Sequence, residues 1–173
     1  NYDDIDFPDP LEESSEFRSY YSEMYGTTKT SEGKYRKVSA ISISGETGYI
    51  QETFLAPKDL SDYRQINLWL YREYGDGEFY LRFGSDADVN YYEYSYPLSS
   101  QSTQTWANIQ IPFPDLTSEG NPIFNDINQV RLGIRGLSAH IYIDDIYLSD
   151  VHSKEGQAQR YSVKANFSKY LKG

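Results

Sequence analysis

The 173-residue chain carries 16 Lys and Arg against 26 Asp and Glu, a formal net charge of −10, and no cysteine. That balance argues against a nucleic-acid or anionic-membrane binder, since polyanions are gripped by clustered Lys and Arg, and the densest basic stretch holds only Lys34, Arg36 and Lys37. Without cysteine there is no disulfide frame, thiolate metal site or thiol nucleophile.

At this length one domain is the default, with enough buried surface to fold unaided. The 18 Tyr, 8 Phe and 2 Trp are a β-rich composition with aromatics to spare for the surface. No apolar run approaches the ~20 residues of a membrane helix, and residue 1 is Asn, so the chain reads as an excised or processed piece.

Residues 1–34 form an acidic segment. Asp3, Asp4 and Asp6 alternate with Ile5 and Phe7, which fits either a short first strand or a linker. Asp9-Pro10-Leu11-Glu12 then has a capping Asp, Pro at the first helical position and Glu three residues after the cap, and Gly26 supplies a stop. These signals predict a helix from about Pro10 to Tyr25, lying on a surface because its apolar stripe is patchy.

Residues 35–150 switch to a period of two with recurrent turn signals, the pattern of an all-β jelly-roll sandwich. About eight antiparallel strands are expected, near 37–44, 48–55, 65–72, 78–84, 90–97, 105–112, 128–135 and 139–148. Gly45-Glu46-Thr47-Gly48 joins the first pair, and Tyr74-Gly75-Asp76-Gly77 carries the Asp-Gly of a hairpin turn. Pleat alternation puts Ile66, Leu68 and Leu70 on one face and Trp69 and Tyr71 on the other. It likewise separates Phe79, Leu81 and Phe83 from Tyr80 and Arg82. Tyr92, Tyr94 and Tyr96 alternate with Tyr91, Glu93 and Ser95, so that strand is aromatic on one face and mixed on the other.

Residues 151–173 are set apart. Tyr161, Val163, Ala165 and Phe167 alternate with Ser162, Lys164, Asn166 and Ser168, which fits either an edge strand or linker, or one tilted transmembrane β-strand across 161–171.

No catalytic residue is nominated. His140 and His152 have no second His, Cys or Gly-x-Ser-x-Gly elbow near them in sequence, and a pair of carboxylates can always be picked from 26 acids. Asp86-Ala87-Asp88-Val89-Asn90 begins like a calcium loop, but Tyr91 stands where the turn Gly is needed and Pro97 where the closing Glu is needed. Asp144 and Asp145 lie inside the last strand, where one must face the core or an adjoining loop. Its partner is either a set of backbone N–H donors or a structural calcium shared with the N-terminal acids. No other cofactor is required. Trp69, Tyr71, Tyr80, Arg82, Tyr92 and Tyr94 form the candidate ligand-binding set, since flat rings stack on sugars while Arg bonds hydroxyls. The alternative is that they are cross-strand pairs packed against another domain. Trp106 shares its strand with Ile109 and Ile111 and reads as core.

Two resemblances follow from particular residues. Trp106 to Leu116 (WANIQIPFPDL), Ile127 to Ile134 and Ile141 to Leu148 resemble the second half of a carbohydrate-binding-module jelly roll. Leu60-Ser61-Asp62-Tyr63-Arg64, Leu68-Trp69-Leu70, the run LRFGSDADVNYYEYSYPL from Leu81 to Leu98, Gly120-Asn121-Pro122, and Asp144 to Asp150 before Gly156-Gln157-Ala158 are similar to the SprA/Sov family. These are giant outer-membrane translocons of type IX secretion and gliding motility. The second resemblance spans roughly residues 48 to 171 and implies jelly-roll insertions in a very large barrel, with the tail as a re-entering strand. Asp144-Asp145-Ile146 departs from the Asn-Glu common there and is closer to the sugar-binding modules. Together the resemblances imply a non-catalytic extracytoplasmic module of an outer-membrane or cell-surface protein, acting through contacts with its other domains or with secreted proteins. The alternative is a carbohydrate-binding module taking polysaccharide on an exposed Tyr/Trp face.

Overall fold

A computed structural model describes residues 2–5 and 38–151. The expected helix at 10–25 and the alternating run at 161–171 lie outside the described residues.

Ten strands are present among the described residues: β1 (Tyr2–Ile5), β2 (Val38–Gly45), β3 (Gly48–Lys58), β4 (Gln65–Gly75), β5 (Glu78–Asp86), β6 (Asn90–Pro97), β7 (Thr105–Pro112), β8 (Thr117–Glu119), β9 (Ile127–Arg135) and β10 (Ala139–Ser149). The eight expected strands all form, and β1 and the short β8 join them. The strands make two antiparallel five-stranded sheets, sheet A in the order β1-β2-β10-β4-β7 and sheet B in the order β3-β9-β5-β6-β8. From β2 to β5 each successive strand changes sheet, which is the winding of a jelly roll.

This winding corrects the expected hairpin at Asp76-Gly77. β4 belongs to sheet A and β5 to sheet B, so the turn is a corner between layers. Gly75 makes it possible, with φ +91°, and a Cβ there would lie 2.1 Å from the Ser138 carbonyl oxygen. The corner is pinned by Arg72, which is buried on the core side of β4. It donates to the carbonyls of Gly75, Leu98 and Gln101 at 2.6–2.8 Å and pairs with Asp76. A buried guanidinium is tolerable only with its donors used in this way.

The core lies between the sheets. Ile66, Leu68 and Leu70 of β4, Ile109 and Ile111 of β7, and Ile141 and Ile143 of β10 meet Phe79, Leu81 and Phe83 of β5 and Leu132 and Ile134 of β9. These are β-branched, Leu and Phe side chains on one parity of each strand, so burial and strand formation reinforce each other.

Two bulges break that parity. The β4–β10 register slips between His140 and Ile141, leaving Glu73 as an extra residue beside Tyr74, and slips again between Asp144 and Tyr147. At the second slip Asp145 has φ +49° and is exposed, while Ile146 takes the core-packed position that strict alternation would have given it. Of the two expected directions for Asp144 or Asp145, the core or an adjoining loop, the bulge excludes the core.

Candidate functional site

The outward face of sheet B is built from two cross-strand rows. Gln51, Arg131, Arg82 and Glu93 are successive neighbours across β3, β9, β5 and β6, and beside them run Tyr49, Gly133, Tyr80 and Ser95. Gly133 is the device that lets this row close. Its missing side chain leaves a slot for the Tyr80 ring, whose Cζ would lie 2.4 Å from a Cβ at that position. Tyr80 is 6% exposed. Arg82 and Arg135 stand over its ring at 5.2 and 5.1 Å, Arg82 also covers Tyr91 at 4.2 Å, and Arg131 covers Tyr49 at 4.4 Å.

Carboxylates fix these cations. Glu93 takes Arg82 on one oxygen and Arg135 at 2.9 Å on the other. Arg135 also donates to Glu78 at 2.6 Å and to Ser95 at 2.8 Å, and Arg131 donates to Asp88 and Gln51 at 2.7 and 2.8 Å. Burial pushes the Glu93 carboxyl up, but the hydrogen bonds from Arg135 and Arg82 outweigh it and hold the group below its ordinary value. Burial also raises the Tyr80 hydroxyl, against the opposing pull of Arg131, Arg82 and Arg135. The Asp88 side chain, 70% exposed, meets Arg131 through Oδ1.

The six candidate ligand-binding residues do not share a surface. Tyr80 and Arg82 belong to this face of sheet B, whereas Trp69 and Tyr71 lie on the outward face of sheet A. Tyr92 and Tyr94 lie on the other face of β6. They pair with Phe83 and Leu81 on the core side, and Tyr92 stacks on Phe124 at 4.2 Å with its hydroxyl donating to the Pro122 carbonyl at 2.8 Å. Tyr49, Arg131 and Arg135 were not picked out from the sequence. Their signal is register with Tyr80 and Arg82, which needs the sheet order.

On sheet A the outward row is Tyr142, Tyr71 and Trp106 across β10, β4 and β7. Trp106 is buried at 9% exposure, as expected, but it packs on the outward side of sheet A rather than between the sheets. Its neighbours Ala107 and Ile109 share the inward parity with Leu70 and Leu68, while Trp106 meets the Tyr71 ring at 5.3 Å on the opposite face. Tyr71 itself is 5% exposed, and burial, with Glu73 and Tyr142 adding to it, pushes its hydroxyl up to about 12.

Next to that row the first bulge assembles a polar cluster. The Ser42 hydroxyl is 2.9 Å from His140 Nε2, and His140 Nδ1 is 2.5 Å from Glu73 Oε2. The Tyr142 hydroxyl reaches the same carboxylate at 3.3 Å. Ser42 and His140 are 98 residues apart, so no local motif announces them.

Asp144 accepts the Asp145 N–H at 2.8 Å, and no group of three or more His, Asp or Glu suited to a metal exists among the described residues. The side chains of the N-terminal acids, which the expected calcium site would share, fall outside the described residues. A cavity of about 260 Å³ opens between the sheets near Phe54, Ile66, Phe83, Ile127 and Leu148, with Glu52 and Lys58 also lining it.

No family model and no curated protein matches the chain. Among solved structures it is similar to the family 11 carbohydrate-binding module from Clostridium thermocellum in complex with a β-1,3-1,4-mixed-linked tetrasaccharide, at 14% identity and TM-score 0.44, covering 62% of this chain and 86% of that one. The family 11 module of the cellulosomal cellulase Lic26A-Cel5E of the same organism matches at 14% and 0.45, covering 69% and 92%. A family 30 carbohydrate-binding module matches at 15% and 0.49, covering 72% and 74%. None of these matches supports the SprA/Sov family.

Proposed function

We propose that the chain is a glycan-recognition module whose ligand lies across the outward face of sheet B. The observation that carries this reading is the array of Arg82, Arg131 and Arg135, each seated over a tyrosine ring and tied to a carboxylate. Tyr49, which is 55% exposed, and the half-buried Tyr91 offer ring faces for the C–H side of a pyranose. Arg82, Arg135, Glu78 and Asp88 offer donors and acceptors to hydroxyls around them. Because the cross-strand pairs already hold these side chains, binding loses little rotamer freedom. The three cations are matched by Glu78, Glu93 and Asp88, which favours an uncharged glycan over an acidic one. In this reading the module works outside the cytoplasm as part of a larger secreted or surface protein.

The test is affinity electrophoresis of the full chain through gels containing neutral β-glucans or soluble chitin derivatives, with Tyr49→Ala, Arg82→Ala and Trp69→Phe run alongside. Retention by at least one polymer is expected, weakened roughly tenfold by Tyr49→Ala, a loss of about 1.4 kcal/mol, weakened also by Arg82→Ala, and unchanged by Trp69→Phe. Absence of retention on every polymer would overturn the reading and is what a protein-contact module of the translocon kind predicts. Retention lost with Trp69 instead would move the ligand to sheet A.

A further inference from the structure

The outward face of sheet A holds a second constellation, independent of the glycan reading. We propose that Ser42 is an activated nucleophile, that His140 is its general base, and that Glu73 is the positioning residue that orients His140, the three acting on a small carboxylic ester. Ser42 and Glu73 occupy opposite nitrogens of the one imidazole, at 2.9 and 2.5 Å. A carboxylate only accepts, so Nδ1 carries the proton toward Glu73, and in the neutral ring Nε2 is left to accept from the Ser42 hydroxyl. That is the tautomer and the order of contacts that nucleophile, base and orienter require, a constellation recognised by geometry rather than sequence order.

The backbone is shaped to make it. Ser42 pairs with Tyr142 and His140 with Ser44, so Ser42 and His140 meet diagonally on one face of the β2–β10 pair. In regular pleating Glu73 would fall on the opposite face from Tyr74. The bulge sets both against His140, and bulges are a recurrent means of re-aiming a side chain beside an active site. The imidazole is flanked by the Tyr74 ring edge-on at 5.7 Å and by Tyr142 at 4.7 Å, which fixes its plane. The His140 side chain is 21% exposed and that of Glu73 39%, so the site is reached directly from solvent.

The chemistry balances without a cofactor. Ser42 Oγ forms a bond to the ester carbonyl carbon as its proton passes to His140 Nε2, and the imidazolium is stabilised by Glu73. Collapse breaks the bond to the alcohol oxygen, which leaves with that proton. Water then attacks the acyl-Ser42 ester by the same route, releasing the carboxylic acid and restoring Ser42.

The experiment is to treat the folded chain with diisopropyl fluorophosphate, locate the label by peptide mass, and measure p-nitrophenyl acetate hydrolysis in parallel. Labelling of Ser42 alone is expected. Ester turnover should vanish in Ser42→Ala and fall on the order of 10²-fold in His140→Ala. It should fall in Glu73→Gln and partly return in Glu73→Asp, which a purely structural Glu73 would not produce. Circular dichroism melts establish that each variant is folded, and label mapping on the unaltered chain requires no variant. A folded chain that takes no label, takes it at another serine, or keeps its ester turnover in Ser42→Ala overturns the proposal. Because Ser42 and the glycan face lie on different sheets, glycan retention should be intact in Ser42→Ala, so failure of one reading leaves the other standing.

Discussion

Tyr71 on sheet A and Tyr80 on sheet B are nearly matched in burial, at 5% and 6% exposure, and both sit on an outward face. Their surroundings differ in kind. Tyr71 lies between the Trp106 and Tyr142 rings with Glu73 nearby, whereas Tyr80 lies in the Gly133 slot with Arg82 and Arg135 over it and Arg131 close by. Outward rings can therefore be shielded either by other rings, leaving an apolar surface with a negative neighbour, or by cations, leaving a polar one. The same alternating Tyr-rich sequence yields both, and the proposed glycan reading rests on the second.

The most severe way to break the contrast is at Gly133. A methyl group there would meet the Tyr80 ring at 2.4–2.6 Å, and that ring is already packed against Arg82 and Arg135 at 5.2 and 5.1 Å. Gly133→Ala should cost about 2–3 kcal/mol by overpacking, read as a lowered urea midpoint at unchanged slope. Adding Tyr80→Ala should make the pair less destabilised than the sum of the single changes, because the clash disappears. Additive losses would mean that Gly133 matters for another reason.

A smaller effect is expected at Glu93, the carboxylate shared by Arg82 and Arg135, whose side chain is 13% exposed. Glu93→Gln keeps an acceptor but loses the charge, and should cost about 1–2 kcal/mol near neutral pH. Its folded-state pKa lies below the ordinary 4.5, so its contribution is present above that value and is lost as pH falls through the folded one. The variant should therefore show a flatter decline in stability on the acid side, seen by comparing urea midpoints from neutral pH downward. An acid limb as steep as that of the unaltered chain would remove Glu93 from the account.

Much of this was legible in the sequence because alternation is a local signal. Ile66, Leu68 and Leu70, and Phe79, Leu81 and Phe83, declare their core face by themselves. Tyr92 and Tyr94 do not. Tyrosine is tolerated on either face, Tyr91 occupies the opposite parity, and the choice falls to Phe83, Phe124 and the Pro122 carbonyl, none of them adjacent in sequence. Trp106 is buried as its apolar strand suggests, but on the outward side, where its parity with Tyr71 puts it. Bulges are harder still. One extra residue at Glu73 or Asp145 inverts every face beyond it, and nothing in the local composition marks where the register slips. Both the arginine array and the Ser42–His140–Glu73 cluster depend on sheet order or on a bulge, so the candidate sites were less readable than the fold that carries them.

The mildest change sharpens the comparison most. Tyr71→Phe removes only a hydroxyl from a ring that stays packed against Trp106 and Tyr142, and at neutral pH it should alter stability by no more than about 1 kcal/mol. The difference should appear in alkali. The ordinary tyrosine value is 10.0 and burial, reinforced by Glu73 and Tyr142, raises it to about 12 in the folded chain. Across that window the unfolded chain releases the Tyr71 proton while the folded chain retains it, so stability is full below 10.0 and declines as pH rises toward 12. The phenylalanine variant should lose this part of the decline, with a residual limb left by Tyr80, Tyr92 and Tyr94, which burial also raises. Tyr80→Phe should flatten the same limb less, because Arg131, Arg82 and Arg135 stabilise its phenolate and offset part of the burial effect. Urea midpoints followed from neutral pH into alkali for both variants decide it. Equal flattening by the two substitutions would mean that the charges around the rings do not distinguish the two faces.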